Sequence, residues 1–362
     1  MKGPFCAEIT PDWEGLCRCI RREGTPSRVY AIELFLDREV QDVICERYGV
    51  LDGLDAGDPY YEQKRLMAIQ AFLGYDYVGC TAEGSAMTLR QSRTTDTAIL
   101  QRDTGRAFID EHAGPITNWE EFEAYPWPDP GALTTRAAEW YQANLPDNMC
   151  MIALGGFGQF TEHLTWLLGY ETLCLALCEQ RDLVAAIMER LIELSQAVVK
   201  KLLCFDRVKC IWGSDDMGFR GGPMIAPADL REFTLPGHRL LAKMAHDAGR
   251  PYLLHSCGNL ELIMEDLIED VKIDGKHSFE DTIEDVREDK EKYGDRIALL
   301  GGIDLDFICR ATEAEVRARV RDTLETCMPG GGYCLGTGNS VTNYLPVDNY
   351  LAMLDEGRRF SL

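Results

Sequence analysis

"APADLREFTLPGHRLLAKMAHDAGRPYLLHSCG" (Ala226–Gly258) decides the fold. Apolar residues recur at helical spacing through its first part, with Pro227 in the first turn and Gly249 as the stop. The apolar run Tyr252–Leu254 follows at once and ends on His255 and Cys257. A helix, a tight stop and a buried strand in so short a span form the unit of a parallel α/β sheet.

The same alternation extends in both directions. Strands are expected over 27–35, 74–80, 148–156, 206–216, 249–258, 272–278, 296–304 and 331–338. Between them, "YETLCLALCEQRDLVAAIMERLIELSQAVVKKLL" (170–203) reads as two helices. "TEAEVRARVRDTLETCM" (312–328) opens with Thr312 and Glu315 as a capping box. Eight strands favour an α/β fold of the closed (β/α)8 TIM-barrel type over an open sheet. The whole chain, 1–362, reads as one domain, with a helical cap at 1–26 and insertions at 36–72 and 81–147. "NWEEFEAYPWPDPG" (118–131) reads as a rigid surface loop.

Composition narrows the function. Asp and Glu number 60 against 37 Lys and Arg, a net charge of −23. Such a surface repels phosphate backbones and anionic membranes, so neither nucleic acid nor a membrane is expected as a partner. No apolar run reaches the length of a membrane span and the start lacks a signal-peptide core, which points to the cytoplasm. In that compartment the 14 cysteines stay reduced thiols, and Cys17, Cys45, Cys174 and Cys204 read as buried core fillers.

In a barrel, the chemistry stands at the C-terminal ends of the strands. There the sequence puts Glu33, Gly156, Glu162, Asp215, Asp216, His255, Cys257, His277, Glu280, Asp304 and Cys334. His255 and Cys257, two apart, would lie on one side of an extended strand. Cys334 opens onto the same mouth from the last strand and offers a third ligand. Two thiolates and an imidazole select zinc, and three ligands leave a position for substrate. His277 or Glu280 is the candidate fourth ligand. The plainer alternative is that His255 and Cys257 are buried strand ends and nothing more.

"YLLHSCGNLELIMEDLIED" (252–270), "GGYCLGTGNSV" (331–341) and "SDDMGFRGGPMIAPADLREFTLPGHRLLAK" (214–243) resemble the uroporphyrinogen decarboxylase superfamily. Within it, the His-x-Cys…Cys pattern is similar to that of the zinc methyltransferases that exchange methyl groups with a corrinoid (cobalamin). That resemblance implies a barrel, with His255, Cys257 and Cys334 as zinc ligands. One departure matters. True uroporphyrinogen decarboxylases carry an arginine-rich segment after the first strand. In "YAIELFLDREVQD" (30–42), Arg38 is the sole cation among Glu33, Asp37, Glu39 and Asp42. A polyanionic porphyrinogen finds little compensation there.

The expected activity is therefore zinc-dependent methyl transfer between a corrinoid and a small molecule, either a thiol acceptor or a methoxylated or methylated donor. The histidine-bearing "DxHxxG" signature of a corrinoid domain is absent, so a separate corrinoid-carrying protein is the expected partner. Asp215, Asp216, Glu162 and His277 are the catalytic candidates. Glu33, Gly156, Gly302, Asp304 and Gly336 are the candidates for binding substrate or cofactor. Asp215 and Asp216 either orient substrate or cap the following segment. Glu162 is either a substrate contact or a helix-start residue. The glycines either admit a bulky ligand or make tight turns. Two other functions compete: a metal-independent decarboxylase, and a non-catalytic barrel that binds a small molecule. The oligomeric state stays open, a homodimer included.

Overall fold

A computed structural model describes residues 3–361. Seven parallel strands form one curled sheet in chain order: β1 (Tyr77–Cys80), β2 (Cys150–Leu154), β3 (Val208–Ser214), β4 (Tyr252–His255), β5 (Gly275–His277), β6 (Ala298–Leu300) and β7 (Tyr333–Cys334). Each falls inside a span expected from the sequence. The helix, stop and strand of 226–258 form as expected: helix Leu235–Asp247 stops before Gly249, which has φ +71°, and β4 comes next.

The first expected strand, 27–35, is extended but forms no ladder. It touches the chain beyond β7 at two isolated bridges, Ala31 with Leu335 and Leu36 with Val341. On its other flank the Tyr77 hydroxyl takes the place of backbone pairing. It accepts from the Glu33 N–H at 2.9 Å and donates to the Glu33 carbonyl at 2.7 Å. The architecture is thus an α/β barrel of seven strands closed by a bridging segment. A side chain fills one seam where a ladder was expected.

Helix Trp13–Ile20 lies against the N-terminal end of the barrel, where the Cys19 carbonyl accepts the N–H of Gly332 at 2.8 Å. Two helices, Arg38–Tyr48 and Tyr61–Leu73, occupy the 36–72 span. The 81–147 span holds an antiparallel hairpin, Gln91–Thr94 with Arg106–Ile109, and helices Trp119–Ala124 and Arg136–Asn144. Within 118–131 the expected loop is therefore partly helical. Asn118 caps the first turn by accepting from the Glu121 N–H at 3.0 Å, and Trp127 closes edge-on over Phe122. The two helices of 170–203 and the Thr312–Glu315 capping box form as expected. Such a cap is worth about 1 kcal/mol.

The core lies inside and around the curled sheet. Trp212 of β3 is wholly buried and meets the His277 ring edge-on, with centroids 5.3 Å apart. Truncating a ring in such a place typically costs about 3–5 kcal/mol. Cys17 and Cys45 are buried as expected, whereas Cys174 and Cys204 are exposed. Cys174 sits on the outward side of its helix and Cys204 in the turn after the next one, so neither fills the core. No helix among the described residues is long and apolar enough to cross a membrane.

Candidate metal centre

The ends of β3, β4 and β5 stand side by side, with Ser214 in register with His255 and His255 with His277. The residues just beyond these ends build the site. After β3, Asp215 and Asp216 part company. Asp215 accepts from the N–H groups of Thr161 (3.0 Å) and Glu162 (2.9 Å) at the start of helix Phe160–Leu168. Its Oδ2 also meets His238 Nε2 at 3.0 Å, and His238 Nδ1 meets the Tyr252 hydroxyl at 2.9 Å. Asp215 is thus a fully buried helix anchor.

Asp216 turns to the mouth. Its Oδ1 accepts the Cys257 N–H at 2.9 Å and lies 3.4 Å from His255 Nε2. Cys257 Sγ is 3.4 Å from the same nitrogen. One donor atom each of Asp216, His255 and Cys257 falls within 4.8 Å of the other two. Ligands at about 2.0–2.3 Å from a tetrahedral zinc stand about 3.3–3.6 Å apart, so carboxylate, imidazole and thiol are spaced to hold one.

The shell behind them fits as well. His255 Nδ1 and His277 Nδ1 are 2.7 Å apart. If His255 Nε2 faces a metal, its Nδ1 carries the hydrogen and His277 accepts it, the usual way a ligating ring is oriented. Burial first, then His255 and Lys276, push the His277 pKa well below the ordinary histidine value, so that ring is neutral and able to accept. Burial, then Asp216, pushes the Cys257 thiol up. Metal binding would have to displace that proton. Burial would raise the Asp216 carboxyl, but the His255 ring and the Cys257 N–H outweigh it and hold it below the usual carboxylate range. Glu162 is pushed well above that range by burial, then by Asp216 and Asp215, and stands as a neutral acid beside the triad.

Two further contacts reach the Cys257 sulfur: Asn339 Nδ2 at 3.1 Å and Ser278 Oγ at 3.5 Å. No sequence pattern singles out either residue. Asn339 lies in the glycine-dense stretch after β7, and Ser278 directly follows His277. Ser278 has φ +90°, a costly value for a non-glycine residue and the kind of strain that gathers at functional sites.

Cys334, expected as the third ligand, does not stand with His255 and Cys257. It is wholly buried inside the barrel, beside Cys19 of the N-terminal helix. The chain beyond Cys334 brings the Asn339 amide to the Cys257 sulfur. The residue that does stand with His255 and Cys257 is Asp216, expected as a catalytic group. Glu280 is exposed and lies outside the triad. His277 stands behind His255. Asp304 caps helix Leu305–Arg310, accepting from the Phe307 N–H at 2.8 Å, and also accepts from the Asp281 N–H at 3.0 Å. Glu33 is buried and gives both carboxyl oxygens to Thr337. A Cβ at Gly156 would stand 2.5 Å from Ser85 Oγ, one at Gly302 2.6 Å from the Val286 side chain, and one at Gly336 2.0 Å from the Ile32 carbonyl. These glycines are explained by close packing within the chain.

Next to the triad, and sharing Asn339 with it, opens a cavity of about 920 Å³. Phe279, Asp304, Phe307, Ser340 and Tyr344 are among its walls. A second cavity of about 450 Å³ lies at the seam between the first extended segment and β1, lined by Glu33, Tyr77 and Leu154 among others.

A family profile described as uroporphyrinogen decarboxylase (URO-D) matches residues 113–360. The chain belongs to the uroporphyrinogen decarboxylase family. Among solved structures, a methyltransferase from Methanosarcina mazei superposes with a TM-score of 0.68 at 15% identity, covering 96% of this chain and 98% of that one. At this identity the likeness speaks for the fold. A putative vitamin-B12 independent methionine synthase from Listeria monocytogenes aligns at 14% identity over 92% of this chain and 98% of its own, with a TM-score of 0.49 too low to carry an argument. No curated protein matches the chain.

Proposed function

We propose that this protein is a zinc-dependent methyltransferase that moves a methyl group between a small molecule and a corrinoid carried by a separate protein. The observation that carries the reading is the Asp216–His255–Cys257 triad, joined through Asn339 to the wall of a large cavity. Family membership and a fold shared with an archaeal methyltransferase support it.

Zinc held there would supply a Lewis acid for the heteroatom of the methyl donor or acceptor. A carboxylate is a harder donor than a thiolate and quenches that acidity less. Asp216 in place of a second cysteine therefore favours the oxygen of a methyl ether or alcohol as donor over a thiol as acceptor. The chain's own residues do the remaining work. His277 fixes the His255 ring, and Asn339 and Ser278 steady the Cys257 sulfur. Glu162 holds a proton beside Asp216, suited to the oxygen that loses its methyl group. Phe279, Phe307 and Tyr344 give the cavity apolar walls. A polyanionic porphyrinogen would find few cations here: of the two arginines lining the large cavity, Arg310 is engaged by Asp306, which leaves Arg106, and Arg38 is engaged by Asp42 and Glu62.

The test is metal analysis together with two assays, methylation of cob(I)alamin by candidate methyl ethers and demethylation of methylcobalamin by candidate thiols. About one zinc per chain and a faster ether reaction are expected. Full activity in a metal-free Cys257→Ala protein would defeat the reading.

A further inference from the structure

We propose that Glu33 is a positioning residue: through Thr337 it sets the place of Asn339, whose amide donates to the sulfur of Cys257. The bearing of this on catalysis rests on the metal reading above. The contacts themselves stand without it.

The segment Gly336–Ser340 is wedged between two backbones. A Cβ at Gly336 would come 2.0 Å from the Ile32 carbonyl, and one at Gly338 2.1 Å from the Phe279 carbonyl. Thr337, wholly buried between them, gives its N–H to Glu33 Oε1 at 2.7 Å. Its hydroxyl oxygen lies 2.7 Å from Glu33 Oε2 and 2.9 Å from the Asn339 carbonyl. From there the Asn339 side chain reaches Cys257 Sγ at 3.1 Å.

The proton count makes the relay directional. Thr337 has one hydroxyl hydrogen and two acceptors beside it. Both contacts are satisfied only when Glu33 Oε2 carries a proton and donates to Thr337 Oγ1, which frees the threonine hydrogen for the Asn339 carbonyl. An ionised Glu33 would claim that hydrogen and leave the carbonyl unpaired. Burial pushes the Glu33 carboxyl up to about 8, against the two Thr337 bonds that lower it, so the acid form prevails at neutral pH. Among the described residues no charged side chain acts on Glu33. The titratable groups around it are the phenols Tyr75, Tyr77, Tyr333 and Tyr350, each raised well above the ordinary tyrosine value by burial first of all.

The variants that test this are conservative. Glu33→Gln mimics the protonated acid at every pH, Thr337→Val removes only the hydroxyl, and Asn339→Leu keeps the bulk of the amide without its donor. The readout is the rate at which iodoacetamide alkylates Cys257 in metal-free protein, followed on its own peptide by mass spectrometry. Losing one hydrogen bond to the thiolate should slow N339L about tenfold near pH 7, and T337V about threefold, with E33Q at the wild-type rate. The E33Q to wild-type ratio should then climb to about three by roughly pH 9.5, as wild-type Glu33 ionises. A ratio that stays flat, or a T337V rate equal to wild type, overturns the inference. Zinc uptake, measured after zinc is added back to samples of the same preparations, separates the two failures. A wild-type protein that binds no zinc sinks the proposed function and leaves these ratios untouched.

Discussion

Asp216 and Cys257 are tied together through the backbone: Oδ1 of the aspartate accepts the cysteine N–H at 2.9 Å. The carboxylate that orders the loop after β4 thus also faces the His255 ring. Asp216→Asn keeps the shape and weakens the acceptor. It should lower zinc affinity at least tenfold, measured by competition with a chromogenic chelator, because one of the three proposed ligands loses its charge. Unchanged affinity would remove Asp216 from the ligand set.

Cys334 and Cys257 should separate cleanly. Cys334→Ser places a hydroxyl in a buried apolar site and should cost about 1–3 kcal/mol in urea unfolding while zinc stoichiometry stays at wild type. Cys257→Ser should do the reverse, with metal lost and stability of the metal-free protein nearly kept. Metal loss in the Cys334 variant would restore the ligand set expected from sequence.

His277 would act on a bound metal through His255, whose Nδ1 it meets at 2.7 Å. Replacing it with Phe removes the acceptor for the His255 ring hydrogen, so zinc affinity should fall about 10–100-fold. The result to look for is a change in affinity with stoichiometry unchanged, which isothermal titration would show directly.

Glu33 should make stability pH-dependent. Its folded-state pKa, about 8, lies above the unfolded value. The folded state therefore binds the proton more tightly, and this contribution is complete below the unfolded pKa and is lost as pH rises through about 8. Relative to wild type, E33Q should gain a few kcal/mol between acid and mildly alkaline pH, read from denaturant midpoints.

Lys276 is 1% exposed and holds the carbonyl of the strained Ser278 at 2.9 Å and Glu284 at 2.7 Å. Lys276→Met takes the ammonium away from the half-buried Glu284 and the buried Asp289. A loss of about 3–5 kcal/mol is expected by denaturant unfolding. A variant as stable as wild type would show that the carboxyls neutralise without cost.

The sequence by itself determined every strand of the sheet, because an apolar run bounded by glycine or polar residues is a local pattern that burial enforces wherever it lies. His255 and Cys257 were legible for the same reason: two residues apart on one strand end, they share a face whatever the rest of the chain does. Which residue joins them depended on contacts between distant segments, which local pattern does not carry. Cys334 packs against Cys19 of the N-terminal helix, and it is Asn339, further along the chain, that meets the Cys257 sulfur. Only the tertiary structure could send Asp215 to a helix start and its neighbour Asp216 to the mouth, since the partners that separate them, Thr161 and Cys257, lie far off in sequence on opposite sides. The seam at Tyr77 was hidden likewise, because a side chain that replaces a ladder leaves no trace in periodicity.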